Sequence, residues 1–155
     1  MPKNQEKLGK PSSLDSEWFL RDEKIKKLLS LGLPSEDYTI FGSGPLFAHK
    51  IVKEINDLDV VARGLAWEKA ARVGEIKKDL YSDNVIIFFD GLITIFDGWS
   101  IGDWSVDELI DTSDIIAGIR FVQLEKVLIQ KRKMNREKDI KHIRLLEEFL
   151  KSQSA

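Results

Sequence analysis

Two periodicities alternate along this chain, and the places where one gives way to the other mark its elements. Over 14–31, Leu14, Trp18, Ile25, Leu28 and Leu29 recur at helical spacing with one turn missed, and Gly32 and Pro34 stop the helix. Residues 38–41 are a short apolar run that breaks on Gly42-Ser43-Gly44. A helix-like segment, 45–55, follows, and then a strand-like one, 57–62, that begins Asp-Leu-Asp. The stretch 64–72 (GLAWEKAAR) predicts a short helix, while 73–84 fits either a turn plus helix or an edge strand. The runs VIIFF and LITIFD, joined by Asp90-Gly91, predict a β-hairpin, because a type I′ turn needs positive φ at both central positions. Nearly every position of that hairpin is apolar, which puts it in the middle of a sheet covered on both faces.

Ser105, three residues before Glu108, makes a capping box that opens another helix. Residues 115–121, broken by Ala117-Gly118, predict a short strand or a tight hairpin. A helix over 123–134 carries Leu124, Val127, Leu128 and Lys131 on one stripe. Asn135 caps between it and a last helix, 136–151, whose stripe holds Ile140, Ile143, Leu146 and Leu150. The sum is one α+β domain over 14–151, a small mixed sheet flanked by helices. Residues 1–13, polar, basic and holding two of the four prolines, predict a disordered lead-in.

Composition narrows the classes. The 155 residues are 43% hydrophobic and 32% charged, enough for a buried core. A net charge of −2 offers no global basic field for nucleic acid. The absence of cysteine excludes disulfides, thiolate metal sites and a cysteine nucleophile. No apolar run approaches the ~20 residues of a membrane helix, and the N-terminus has no apolar signal region, so the expected location is cytoplasmic.

Candidate chemistry gathers in 38–63. On a strand Asp57 and Asp59 share a face, with Leu58 and Val60 on the other. Two neighbouring carboxylates repel, and a bound cation relieves them; the plain alternative is a solvated strand start. Gly42 and Gly44 let the backbone come close to a ligand, and a turn ahead of a helix offers free N–H groups that suit phosphate. Lys131 lies on an apolar stripe, where a lysine either snorkels or reaches a buried anion. His49 and His142 lack metal-ligand spacing and are taken as surface or partly buried polar residues. Trp99 and Trp104 either line a pocket or plug a loop.

Gly42-Ser43, thirteen residues, then Asp57-Leu58-Asp59 resembles the signature of the nucleotidyltransferase fold, the polymerase-beta-like superfamily. The long spacer is closest to abortive-infection and toxin–antitoxin nucleotidyltransferases and their bacterial or archaeal relatives. The stretch K-R-K-M-N-R-E-K-D over 131–139 is similar to a late patch of such domains. The resemblance implies transfer of a nucleoside monophosphate from an NTP to a hydroxyl acceptor: an RNA end, a protein hydroxyl or a small molecule. It implies two magnesium (or manganese) ions held by Asp57, Asp59 and a third carboxylate, Asp97 or else Asp90, with Asp97 helping to deprotonate the acceptor. Gly42 and Ser43 would then hold the β/γ-phosphates and Lys131 would face the leaving pyrophosphate. The alternative is a non-catalytic protein of the same fold acting as a binding or toxin–antitoxin partner.

Overall fold

The structure, a computed structural model, describes residues 17–80 and 82–154. The predicted lead-in 1–13 lies outside the described residues. Among these, six α-helices and a seven-stranded mixed sheet make an α+β fold, and no helix is long and apolar enough to cross a membrane.

The missed turn of the first helix is a real break. A 3-10 turn, Trp18–Arg21, ends at the extended residue Asp22, whose Oδ1 accepts from Lys24 N at 2.8 Å and opens α1, Glu23–Ser30. After a 3-10 turn, Ser35–Asp37, the chain enters β1, Tyr38–Phe41, and then α2, Gly44–Ala48. Helix α2 is far shorter than its predicted extent to residue 55. Lys50 takes a positive φ (63°), Lys50 N bonds Phe47 O at 3.0 Å and Ile51 N bonds Leu46 O at 2.8 Å. That pair of bonds is a Schellman stop, and Ile51 packs in the same cluster as Leu46. Residues 51–57 are thereby left as a loop.

Strand β2, Leu58–Ala62, follows, then α3, Gly64–Val73, and β3, Glu75–Lys78. Within the ambiguous 73–84, residues 75–78 thus form an edge strand. Strands β4, Asn84–Phe88, and β5, Ile93–Phe96, form the expected hairpin. Its turn is wider than two residues, since Phe89, Asp90 and Gly91 all have positive φ. Ser105 Oγ accepts from Glu108 N at 3.0 Å and starts α4, Val106–Asp111, as the capping box requires. The tight hairpin is β6, Asp114–Ile116, with β7, Ile119–Phe121, turning on Ala117 (φ 52°) and Gly118 (φ 80°). Helices α5, Leu124–Met134, and α6, Glu137–Ser154, close the chain around Asn135, which is left-handed (φ 46°, ψ 44°).

The sheet order is β3-β4-β5-β2-β1-β7-β6. Strand β2 lies antiparallel to β1 and parallel to β5. Period-2 alternation divides it cleanly. Ile40, Leu58, Val60, Ile86, Ile93 and Ile95 face one cluster with α1 and α3, while Phe41, Val61, Val85 and Phe96 face another with α4, α5 and α6. Along α6 the predicted stripe shifts. Leu146 is buried, but Ile140 is 62% exposed, and the inward position of the first turn belongs to Asp139, which is fully buried.

Candidate functional site

The register of the two central strands builds one wall of a cavity of about 200 Å³. Phe41, the last residue of β1, pairs with Asp59 near the start of β2, so Gly42 and Ser43 stand beside the Asp57-Leu58-Asp59 entry. Gly42 has φ 68°, and a Cβ there would lie 2.7 Å from Asp59 Oδ2, so both backbone conformation and space call for glycine. The loop left by the early stop of α2 brings Glu54, Asn56 and Asp57 to the rim. The opposite wall comes from the α5–α6 turn.

Lys131, 1% exposed, reaches out of α5 with Nζ 3.1 Å from Ser43 Oγ and 3.4 Å from Asp139 Oδ1. Asp139 also accepts from Arg136 N (3.1 Å), Nε (2.7 Å) and Nη2 (3.0 Å), and His142 Nδ1 lies 3.4 Å from Ser43 Oγ. Burial of a cation this complete is tolerable because a carboxylate and a hydroxyl meet it.

Electrostatics at the two walls differ in sign. Burial, and then the charge of Asp57, push the Asp59 carboxyl up to about 6, against the pull of Lys138, Arg136 and Lys131. Burial holds the Lys131 ammonium below its usual range, with Asp139 opposing. Burial, and then Lys131, lower His142, so its imidazole is neutral at neutral pH. Burial alone would raise Asp139, but the bonds from Arg136 outweigh it and hold the carboxyl below the usual range.

Of the residues singled out from sequence, the fold brings Gly42, Ser43, Asp57, Asp59 and Lys131 together around this cavity. It does not bring Asp97. Asp59 pairs with Thr94 on β5, and Asp97 follows three residues later, about 10 Å further along the strand, where alternation turns it to the other face. There Asp97 Oδ1 and Oδ2 accept from Asn84 N and Nδ2, both at 3.1 Å. Asp90 sits exposed in the hairpin turn and does not line the cavity. The place beside Asp59 where a third carboxylate would complete the set belongs to Thr94. Among the described residues, no group of three or more His, Asp or Glu is arranged to hold a metal ion.

His142, read from sequence as a surface or partly buried polar residue, is half-buried in the cavity lining, three residues after Asp139 and four after Lys138 on one helix. Glu54 was hidden inside the helix expected over 45–55, and Asn56 fell in the gap between that helix and the expected strand. Trp99 and Trp104 form a plug instead. Trp99 packs tilted against Phe41 and edge to face against Phe96 at centroid distances of 4.9 and 4.8 Å, and Trp104 lies 6.3 Å from Phe41. His49 pairs with Asp114 at 3.8 Å, away from the cavity. Compared with models of known protein families, with curated proteins and with solved structures, the chain matches none.

Proposed function

We propose that this cavity binds the triphosphate of a nucleotide together with one divalent cation, as the nucleotidyltransferase resemblance implies, and presents it to a hydroxyl acceptor. The observation that carries the reading is Lys131, a wholly buried ammonium that reaches Ser43 across a cavity whose other wall holds Asp57 and Asp59. Magnesium is commonly bound by one or two carboxylates plus substrate phosphates, and Asp57 with Asp59 suits that donor set; a second ion lacks its carboxylate. When bound, the cation would neutralise both carboxylates and offset phosphate charge. Ser43 and the Gly42 backbone would meet the distal phosphates, while Lys131 and Arg136 supply positive charge. Gly42 keeps that approach open.

The test is thermal shift with Mg²⁺, NTP, and both. Stabilisation requiring both, lost in Asp57→Asn/Asp59→Asn, is expected. In Lys131→Met, triphosphate affinity should fall about tenfold or more, because a charge-assisted contact is worth roughly 1.5–3 kcal/mol. A monophosphate should lose less. No shift with any NTP and metal would end the proposal.

Thr94 beside Asp59 favours a second reading, a protein that keeps the nucleotide pocket for binding or as a toxin–antitoxin partner without transfer. Pyrophosphate release separates the two. Binding without release supports the second reading, and metal-dependent release supports transfer.

A further inference from the structure

The net charge of −2 hides a strong polarity. Between Lys131 and Arg144 stand seven Lys or Arg against Glu137 and Asp139, leaving 17 of the 24 cations and 24 of the 26 acids to the rest of the chain. Three of the seven are spoken for, since Lys131 and Arg136 contact Asp139 and Arg132 pairs with Glu147. The other four, Lys133, Lys138, Lys141 and Arg144, are exposed and make no ion pair with any described carboxylate. Lys138, Lys141 and Arg144 are three residues apart on α6, so they form one row with about 5–6 Å between neighbouring Cβ atoms. Lys138 lines the cavity, and the row therefore starts at its mouth and leads outward. Lys133, in the last turn of α5, carries a further charge beside the turn that joins the helices.

We propose that the acceptor is the hydroxyl-bearing end of a single-stranded nucleic acid, whose phosphates lie along the Lys138–Lys141–Arg144 row while its end enters the cavity. A phosphodiester strand supplies both things the surface asks for, a regular line of negative charge and a terminal hydroxyl. The cavity that would receive its end measures about 200 Å³. Among the described residues no Phe, Tyr or Trp lines it, so recognition is through the backbone, indifferent to sequence.

The transfer step rests on the proposed nucleotide site. The terminal hydroxyl oxygen bonds to the α-phosphorus of the NTP, and the bond from that phosphorus to the oxygen bridging to the β-phosphate breaks. Pyrophosphate leaves, and the hydroxyl proton passes to water. Strand binding alone does not need the nucleotide.

The experiment uses the full chain and fluorescence anisotropy with an oligonucleotide of about 20 residues as single-stranded RNA, the same sequence as DNA, and a poly-glutamate peptide, across roughly 50–200 mM salt. With three to four phosphates engaged, log K should fall with log salt at a slope of about −2 to −3. The variant Lys133→Glu/Lys141→Glu/Arg144→Glu, which leaves the cavity lining intact, should flatten the slope by about 2 and raise Kd at least tenfold. Its thermal shift with Mg²⁺ and NTP should match the wild type. RNA binding without DNA binding identifies the sugar, and binding of both identifies a phosphodiester chain of either kind. Unchanged oligonucleotide affinity in the variant, or poly-glutamate binding equal to RNA, overturns the proposal. Oligonucleotide binding without any NTP shift would remove the nucleotide reading and keep the strand surface. NTP binding with no transfer of α-phosphate label to a bound oligonucleotide would remove the acceptor assignment alone.

Discussion

Strand β2 carries a charge cluster at each end, and the two are handled in opposite ways. Just past its C-terminal end, Arg63 is fully answered from within the chain. Its Nε contacts Asp37 at 3.2 Å, Nη1 contacts Asp107 at 2.8 Å, and Nη2 contacts Asp111 at 3.0 Å and the Glu36 carbonyl at 3.1 Å. This is a staple between the start of β1, the end of β2 and α4. At the N-terminal end, Asp57 and Asp59 stand as like charges on one face, and the cations that answer them come from across a cavity. Charge that the chain satisfies itself holds the fold together. Charge left facing a space awaits something from outside. The functional candidate is therefore the N-terminal end of β2.

The largest effect should come from the base of the cavity. Asp139→Ala leaves Lys131 buried without its carboxylate, and should cost about 3–5 kcal/mol, read from the urea midpoint at unchanged m. Because the Asp139 carboxyl is held below its usual range, its contribution is present above the unfolded value near pH 4 and is lost as pH falls through the folded value. A loss under about 1 kcal/mol would mean that the cavity wall does not depend on this pair.

Asp59→Asn should act in the other direction. The folded carboxyl sits at about 6, so its stabilising protonated form is complete below about pH 4 and is lost as pH rises through 6. The variant escapes that loss. Above pH 6 the ligand-free variant should be more stable than wild type by on the order of 1–3 kcal/mol, and the difference should vanish toward pH 4. Melting temperature against pH checks this, and a variant no more stable at pH 7 than at pH 4, relative to wild type, would contradict it.

The smallest effect belongs to the stapled end. Arg63→Met breaks three ion pairs, yet Asp107 and Asp111 are 76% and 62% exposed, so water replaces much of what is lost. About 1 kcal/mol or less is expected, with the thermal shift by Mg²⁺ and NTP unchanged. A loss as large as that of Asp139→Ala would erase the distinction between the two ends.

What could be read without coordinates was set by short-range chemistry. The Asp-Gly pair between two β-rich runs specified a hairpin, Ser105 with Glu108 specified a helix start, and Ala117-Gly118 marked a tight turn, because each depends on only a few neighbouring residues. The alternation Asp57-Leu58-Asp59 likewise placed both carboxylates at the cavity where β2 begins. The apolar stripe left Lys131 two choices, to snorkel or to reach a buried anion, and the fold buries it against Asp139.

Tertiary structure decided the rest. Helix α2 stopped at Ala48 because Lys50 accepted a left-handed backbone that composition does not advertise, and the loop so released became the rim of the cavity. Asp97 looked like the third carboxylate because it ends an apolar strand, but cross-strand register set Thr94 beside Asp59 and gave Asp97 to Asn84. Register is a property of two strands together and is invisible in either one. On α6 the hydrophobic stripe suggested Ile140 for the inner face, whereas the need of buried Lys131 for a counter-charge turned Asp139 inward and carried His142 to Ser43. The sequence by itself thus picked out Gly42, Ser43, Asp57, Asp59 and Lys131 at the N-terminal end of β2. Only the packing of α5 and α6 against the sheet decided which of them meet, since that depends on contacts between positions as far apart as Ser43 and Lys131.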